Sequence, residues 1–164
     1  MALAQLIGDK KGGLAYAGDI SPEDAYAFLQ ANDAILIDVR TTPEWQFTGV
    51  PDLSATHGKL ATISWKTYPD FATNPKFAEQ LAAVGADKDT TLLFLCRSGG
   101  RSLDAAVAMT ANGYRHCFNI SDGFERYKSC GLPGSAGSNE KISNDPVQSP
   151  KKIRMGASQD KQQG

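Results

Sequence analysis

The chain has 164 residues, 41% of them hydrophobic and 21% charged, with a formal net charge of -1. That is enough for one domain with its own core and too little for two of ordinary size. The near-neutral charge gives no electrostatic basis for binding nucleic acid or an anionic membrane surface, and no apolar run approaches the roughly 18 to 20 residues that cross a bilayer.

Residues 1–19 read as an N-terminal extension. Met1–Gly18 carries Lys10-Lys11 after its few apolar residues, the wrong order for a secretory signal, so a cytoplasmic location is the default expectation. Ser21-Pro22-Glu23-Asp24 then opens a helix, with serine at the N-cap, proline in the first turn and two acids complementing the dipole. Ala25, Phe28 and Leu29 supply its apolar stripe. Asp33 turns the chain into a strand over Ala34–Asp38, which ends in Asp38-Val39-Arg40. From Pro51 to Trp65 the pattern supports one element, a short strand over Ala61–Trp65. Asn74-Pro75-Lys76-Phe77 starts a second helix, whose Phe77, Leu81 and Val84 keep helical spacing until Gly85 ends it. After the polar turn Asp87-Lys88-Asp89, Leu92–Leu95 form a strand covered on both faces. From Ser102 the spacing of Leu103, Ala106, Val107, Met109 and Thr110 is helical, and Asn112-Gly113 supplies the stop. Residues 134–164 begin with the linker-like Gly134-Ser135-Ala136-Gly137-Ser138-Asn139, contain no aromatic residue and read as a disordered polar tail.

Strands alternating with helices argue for an α/β domain with a central, mainly parallel sheet and helices on both faces. Sites in such sheets lie outside the carboxyl ends of the strands, where both Asp38-Val39-Arg40 and Cys96 fall. Cys96 stands between a buried strand and a helix, and Arg97-Ser98-Gly99-Gly100-Arg101-Ser102 follows it with two adjacent glycines and two guanidinium groups. A loop of that kind curls with its N–H groups inward and cradles an anion. A thiol at a helix N-terminus beside cations ionises near neutrality, and the thiolate is the nucleophilic form. Three cysteines cannot form a closed disulfide framework, and no Cys-x-x-Cys or His-Glu-x-x-His spacing offers a metal site, so no metal and no cofactor is expected. Cys117 reads as core and Cys130 as exposed without a catalytic part.

Cys96-Arg97-Ser98-Gly99-Gly100-Arg101-Ser102 after an apolar strand resembles the active-site loop of rhodanese domains, the thiosulfate and persulfide sulfurtransferases. Ala34–Trp45, with its Asp38-Val39-Arg40 and Glu44-Trp45, resembles an early strand and short helix of that family, and Gly113–Phe124 resembles its last strand and the glycine turn into its final helix. The likeness spans about Ile20–Pro133, so residues 20–133 are taken as a rhodanese-like domain. The chain departs from it at Thr48-Gly49-Val50-Pro51-Asp52-Leu53, where many members carry a histidine.

The resemblance implies two half-reactions. Cys96 takes the sulfane sulfur of a donor such as thiosulfate, and a thiol or cyanide acceptor, or the thiol of a protein, then removes it. Arg97 and Arg101 would meet an anionic donor, although Arg101 at a helix start could equally be held by Asp38 or Glu44. Asp38, Arg40 and Glu44 are expected to support the loop rather than to touch substrate. A cysteine phosphatase or arsenate reductase is the alternative enzyme, but phosphatase loops place arginine six residues after cysteine and Arg101 is five after Cys96. A persulfide carrier or a regulatory module serving one protein partner is the alternative outside small-molecule catalysis.

Overall fold

Five strands, β1 (Gly18–Ile20), β2 (Ile35–Asp38), β3 (Lys59–Thr62), β6 (Thr91–Leu95) and β7 (His116–Ile120), lie side by side in the order β1-β7-β6-β2-β3. Every ladder between them is parallel. The computed structural model describes residues 15–135. Five helices are found among those residues: α1 (Pro22–Ala31), α2 (Thr42–Thr48), α3 (Phe77–Ala83), α4 (Gly100–Ala111) and α5 (Gly123–Ser129). Two short strands, β4 (Lys66–Thr67) and β5 (Ala72–Thr73), pair antiparallel apart from the sheet.

The central strands β2 and β6 are buried at every position, which is why they read as continuous apolar runs. Their side chains still alternate between faces. Ile35, Ile37, Leu92 and Phe94 point into one core with Phe77 and Leu81 of α3 and Ala105, Ala106 and Met109 of α4. Leu36, Leu93 and Leu95 point into the other with Phe28 and Leu29 of α1 and Phe124 and Tyr127 of α5. Helices therefore cover both faces. The α1 start is as expected: Ser21 Oγ accepts the Asp24 N–H at 3.1 Å.

Four features depart from the sequence reading. β1 begins inside the segment read as an extension. It joins the edge of β7 through backbone pairing, with Ala17 N donating to Cys117 O at 2.9 Å, and its Gly18 and Asp19 carry no hydrophobic pattern to betray it. The short strand of the middle connection runs over Lys59–Thr62 rather than Ala61–Trp65, because its register is set by Ile35 opposite Lys59. Ile63 N and Trp65 N still reach Asp38 O and Val39 O as the chain leaves the sheet. α4 starts at Gly100, two residues before Ser102. Finally, the packed chain continues past Pro133: Ser135 N donates to Val50 O at 2.9 Å and Gly134 bridges Pro51. The fit is close enough that a Cβ on Gly49, whose φ is +82°, would sit 2.1 Å from Ser135 O. Residues 1–14 and 136–164, and with them Lys10-Lys11 and most of the proposed tail, lie outside the described residues. Among the described residues no helix is long and apolar enough to cross a membrane.

Candidate active site

β6 occupies the middle of the sheet and delivers Cys96 just past its carboxyl end, 1% exposed. Gly99 turns the chain with φ +118°, a conformation L side chains rarely adopt, and its N–H donates to Cys96 Sγ at 3.0 Å. One turn into α4, the fully buried Ser102 brings its Oγ to 3.2 Å from the same sulfur. The loop is anchored from behind by α5. Phe124 N donates to Cys96 O at 2.8 Å and Glu125 N to Arg97 O at 3.1 Å. Gly123 makes that approach possible, since a Cβ there would stand 2.4 Å from Arg97 O and 2.6 Å from Cys96 O. Ser98 and Gly100 face solvent, and nothing lies within 4 Å of a Cβ built on Gly100.

The two loop arginines are each held by a carboxylate. Arg101 binds Glu44 through both terminal nitrogens, at 2.7 and 2.9 Å, so the partner left open between Asp38 and Glu44 is Glu44. Glu44 Oε1 also accepts the Thr41 N–H at 3.0 Å and its hydroxyl at 2.9 Å. Burial alone would push the Glu44 carboxyl up, but the hydrogen bonds from Arg101 and Thr41 outweigh it and hold the pKa at about 2. The same carboxylate keeps Arg101 more firmly charged than usual. Arg97 turns outward to Glu125, 2.7 Å away, where both side chains are exposed.

Asp38 and Arg40 form a buried pair at the end of β2, with Arg40 Nε and Nη2 at 2.9 and 2.7 Å from the carboxylate. Arg40 also donates to Thr48 Oγ1 and Gly49 O and lies 4.3 Å above the Phe124 ring. It thereby ties α2 and the Gly49 turn to α5, the helix that anchors the cysteine loop. Its contacts reach the loop only through these neighbours.

Asn119 escaped the sequence reading. It is 5% exposed in β7, and its Oδ1 accepts from Ser102 Oγ at 2.6 Å. The available signal was a lone amide among the apolar residues of His116–Ile120. Neither histidine adjoins Cys96. His116 opens β7 opposite Thr91 and His57 precedes β3, so both stand at the amino ends of the strands. Cys117 is core, as expected, and Cys130 is exposed. Among the described residues no cluster of His, Cys, Asp and Glu could hold a metal ion.

A parallel sheet in this strand order, with a cysteine loop between the central strand and the next helix, defines a rhodanese-like domain. Residues 17–140 match the family model described as the STR4 middle domain, and the chain belongs to that family. The chain is 32% identical over 127 residues to the protein Thylakoid Rhodanese-like of Oryza sativa, covering 76% of this chain and 25% of that protein. The crystal structure of Rv0390 from M. tuberculosis is similar with a TM-score of 0.65 and 36% identity, over 73% of this chain and 98% of that one. The polysulfide-sulfur transferase homodimer of Wolinella succinogenes is similar with a TM-score of 0.57 and 28% identity, over 74% and 81% of the respective chains.

Proposed function

We propose that the domain is a sulfurtransferase in which Cys96 is the nucleophile. The observation that carries the reading is the hydrogen bond from the Gly99 amide to Cys96 Sγ, 3.0 Å long, at the start of a twelve-residue helix. The first-turn amides of that helix have no acceptor within it, so negative charge in the loop meets the positive end of the helix.

Cys96 thiolate attacks the outer sulfur of thiosulfate, a new S–S bond forms, and the old one breaks with its electron pair leaving on sulfite. The terminal sulfur of the resulting persulfide carries the negative charge into the loop made by Arg97, Ser98, Gly99, Gly100, Arg101 and Ser102. A thiolate or cyanide acceptor then attacks that sulfur and Cys96 thiolate returns. Polysulfide is a second donor consistent with the chemistry, and it is the substrate named for the Wolinella protein. The thiol of a protein partner would accept sulfur by the same step, which makes a persulfide carrier a use of the same site. Asp38, Arg40 and Glu44 keep the loop in shape. No metal or cofactor enters any step, and free thiols suit a reducing, cytoplasmic setting.

Intact mass before and after thiosulfate tests the reading. A gain of one sulfur atom on Cys96, removed by cyanide or a thiol, is expected. No gain, together with hydrolysis of aryl phosphates, would overturn it in favour of a phosphatase.

A further inference from the structure

Ser102 has one hydroxyl proton and two acceptors within reach, Asn119 Oδ1 at 2.6 Å and Cys96 Sγ at 3.2 Å. It can serve one at a time. The orientation of the Asn119 amide is fixed from its other end: Nδ2 lies 3.0 Å from Asp19 Oδ1, and a carboxylate only accepts, so nitrogen faces Asp19 and oxygen faces Ser102. The Tyr16 hydroxyl donates to the same Asp19 oxygen at 3.0 Å. Ser102 and Asn119 are buried at 0% and 5% exposure, while Asp19 stands in solvent on β1.

Taking Cys96 as the reacting thiol, as proposed above, we propose that Asn119 is a positioning residue that competes with the Cys96 sulfur for the Ser102 proton, with Asp19 fixing the direction of the amide. While the proton lies toward Asn119, the sulfur faces a hydroxyl lone pair, which only an S–H group satisfies. Once the Cys96 proton has passed to solvent, the hydroxyl turns to the thiolate and Asn119 Oδ1 loses its donor. Donation to the thiolate therefore costs the 2.6 Å bond, and the Asn119 amide holds back a donor that Ser102 would otherwise give the sulfur. When negative charge has moved to the outer sulfur of a persulfide, the Ser102 proton returns to Asn119.

The other charged groups around the sulfur are already paired. Arg101 of α4 is held by Glu44 of α2, Asp38 of β2 by Arg40, and Arg97 by Glu125 of α5. All of them persist in the variants that test the relay, so changes among those variants report the Ser102 proton. Alkylation of Cys96 by iodoacetamide, in which the thiolate displaces iodide, is followed by mass across a pH series. Asn119→Leu is expected to speed alkylation about fivefold on the acid side of the profile, the equivalent of one neutral hydrogen bond of about 1 kcal/mol. Ser102→Ala is expected to slow it by a similar factor. In the Ser102→Ala background, Asn119→Leu is expected to change nothing.

An Asn119→Leu effect of equal size with and without Ser102, or slower alkylation when Ser102 is intact, would overturn the proposal. Asp19→Ala provides the same test from an exposed position, should the buried substitution prevent folding. Without the carboxylate the amide can turn its nitrogen to Ser102 Oγ and direct the hydroxyl at sulfur, so alkylation should again quicken, and only when Ser102 is present. Alkylation needs no sulfur donor. A preserved alkylation pattern with no mass gain on thiosulfate would uphold the relay and overturn sulfur transfer.

Discussion

Cys96, just past the end of β6, and Cys117, within the neighbouring parallel strand β7, are each 1% exposed and belong to the same core cluster, and their surroundings are opposite in kind. Cys117 lies within a ladder, opposite Leu92, with Tyr114 O at 3.8 Å as its acceptor. Burial pushes its thiol up to about 11, against the smaller pull of Thr110 and Lys88, so it stays protonated and inert. Cys96 is one residue beyond the end of β6, where the ladder has stopped and backbone N–H groups are free to turn toward a side chain. Burial is thus common to both thiols. What separates them is whether the adjoining backbone spends its donors on a neighbouring strand or on sulfur.

Exchanging either sulfur for oxygen gives the widest split. Cys96→Ser is expected to abolish sulfur transfer, by at least a thousandfold, because an alkoxide does not replace a thiolate as a sulfur-accepting nucleophile. Cys117→Ser and Cys130→Ser should keep turnover once folded. Thiosulfate–cyanide assays on purified variants check all three, and a dead but folded Cys130→Ser would put a second thiol in the mechanism. A subtler change attacks the donors around Cys96 and leaves the sulfur alone. Inserting one glycine between Gly99 and Gly100 moves the Gly99 amide relative to the helix, and a misplacement of about 1 Å costs on the order of a hundredfold in rate. Stopped-flow persulfide formation should fall by that order, while Cys117 alkylation in denaturant stays unchanged.

The difference between the two thiols was legible in sequence because it is local. An apolar run, a cysteine, paired glycines and a helical period in immediate succession specify strand, turn and helix without knowledge of the rest of the chain. Cys117 likewise read as core. The supports were harder to read because they arrive from distant segments. Arg101 finds Glu44 fifty-seven positions earlier, and two acids were open as its partner. Asn119 meets Asp19 across one hundred positions through β1, a strand of three residues at the sheet edge whose one apolar side chain, Ile20, gives no periodicity to read. The middle connection resisted for a similar reason: β3 is an edge strand with exposed Lys59 and half-buried Leu60, so its apolar centre in sequence is displaced from its ladder.

Glu44→Gln weakens the framework around Cys96 and should lower turnover several-fold, because Arg101 loses the carboxylate charge and one of its two acceptors at the first turn of α4. The substitution should also cost about 1–2 kcal/mol of stability at pH 7, solvent screening included, by urea unfolding. Glu44 has its folded pKa at about 2, below its ordinary 4.5, so its contribution is complete above about pH 5 and is lost as pH falls toward 2. Wild type and Glu44→Gln should converge over that window. Curves that stay parallel down to pH 2 would remove the ion pair from the account of the loop.

The smallest effect on activity belongs to Cys117, whose substitution should leave turnover untouched. Its folded pKa of about 11 exceeds the ordinary value of about 9, so the folded state holds the proton more tightly than the unfolded chain does. Stability is therefore unaffected below pH 9 and falls as pH rises from 9 to 11, where the unfolded chain releases the proton and the folded one retains it. The loss should approach about 2 kcal/mol and then level off. Replacement by valine, apolar and of similar size, removes the titrating group while filling the position in β7. The urea midpoint of Cys117→Val should decline less than that of wild type between pH 9 and 11, against a common decline from tyrosines and lysines, and thiosulfate turnover at pH 8 should match. Equal alkaline declines would mean that Cys117 ionises without unfolding the strand, and the contrast between a silenced thiol and a directed one would lose its thermodynamic half.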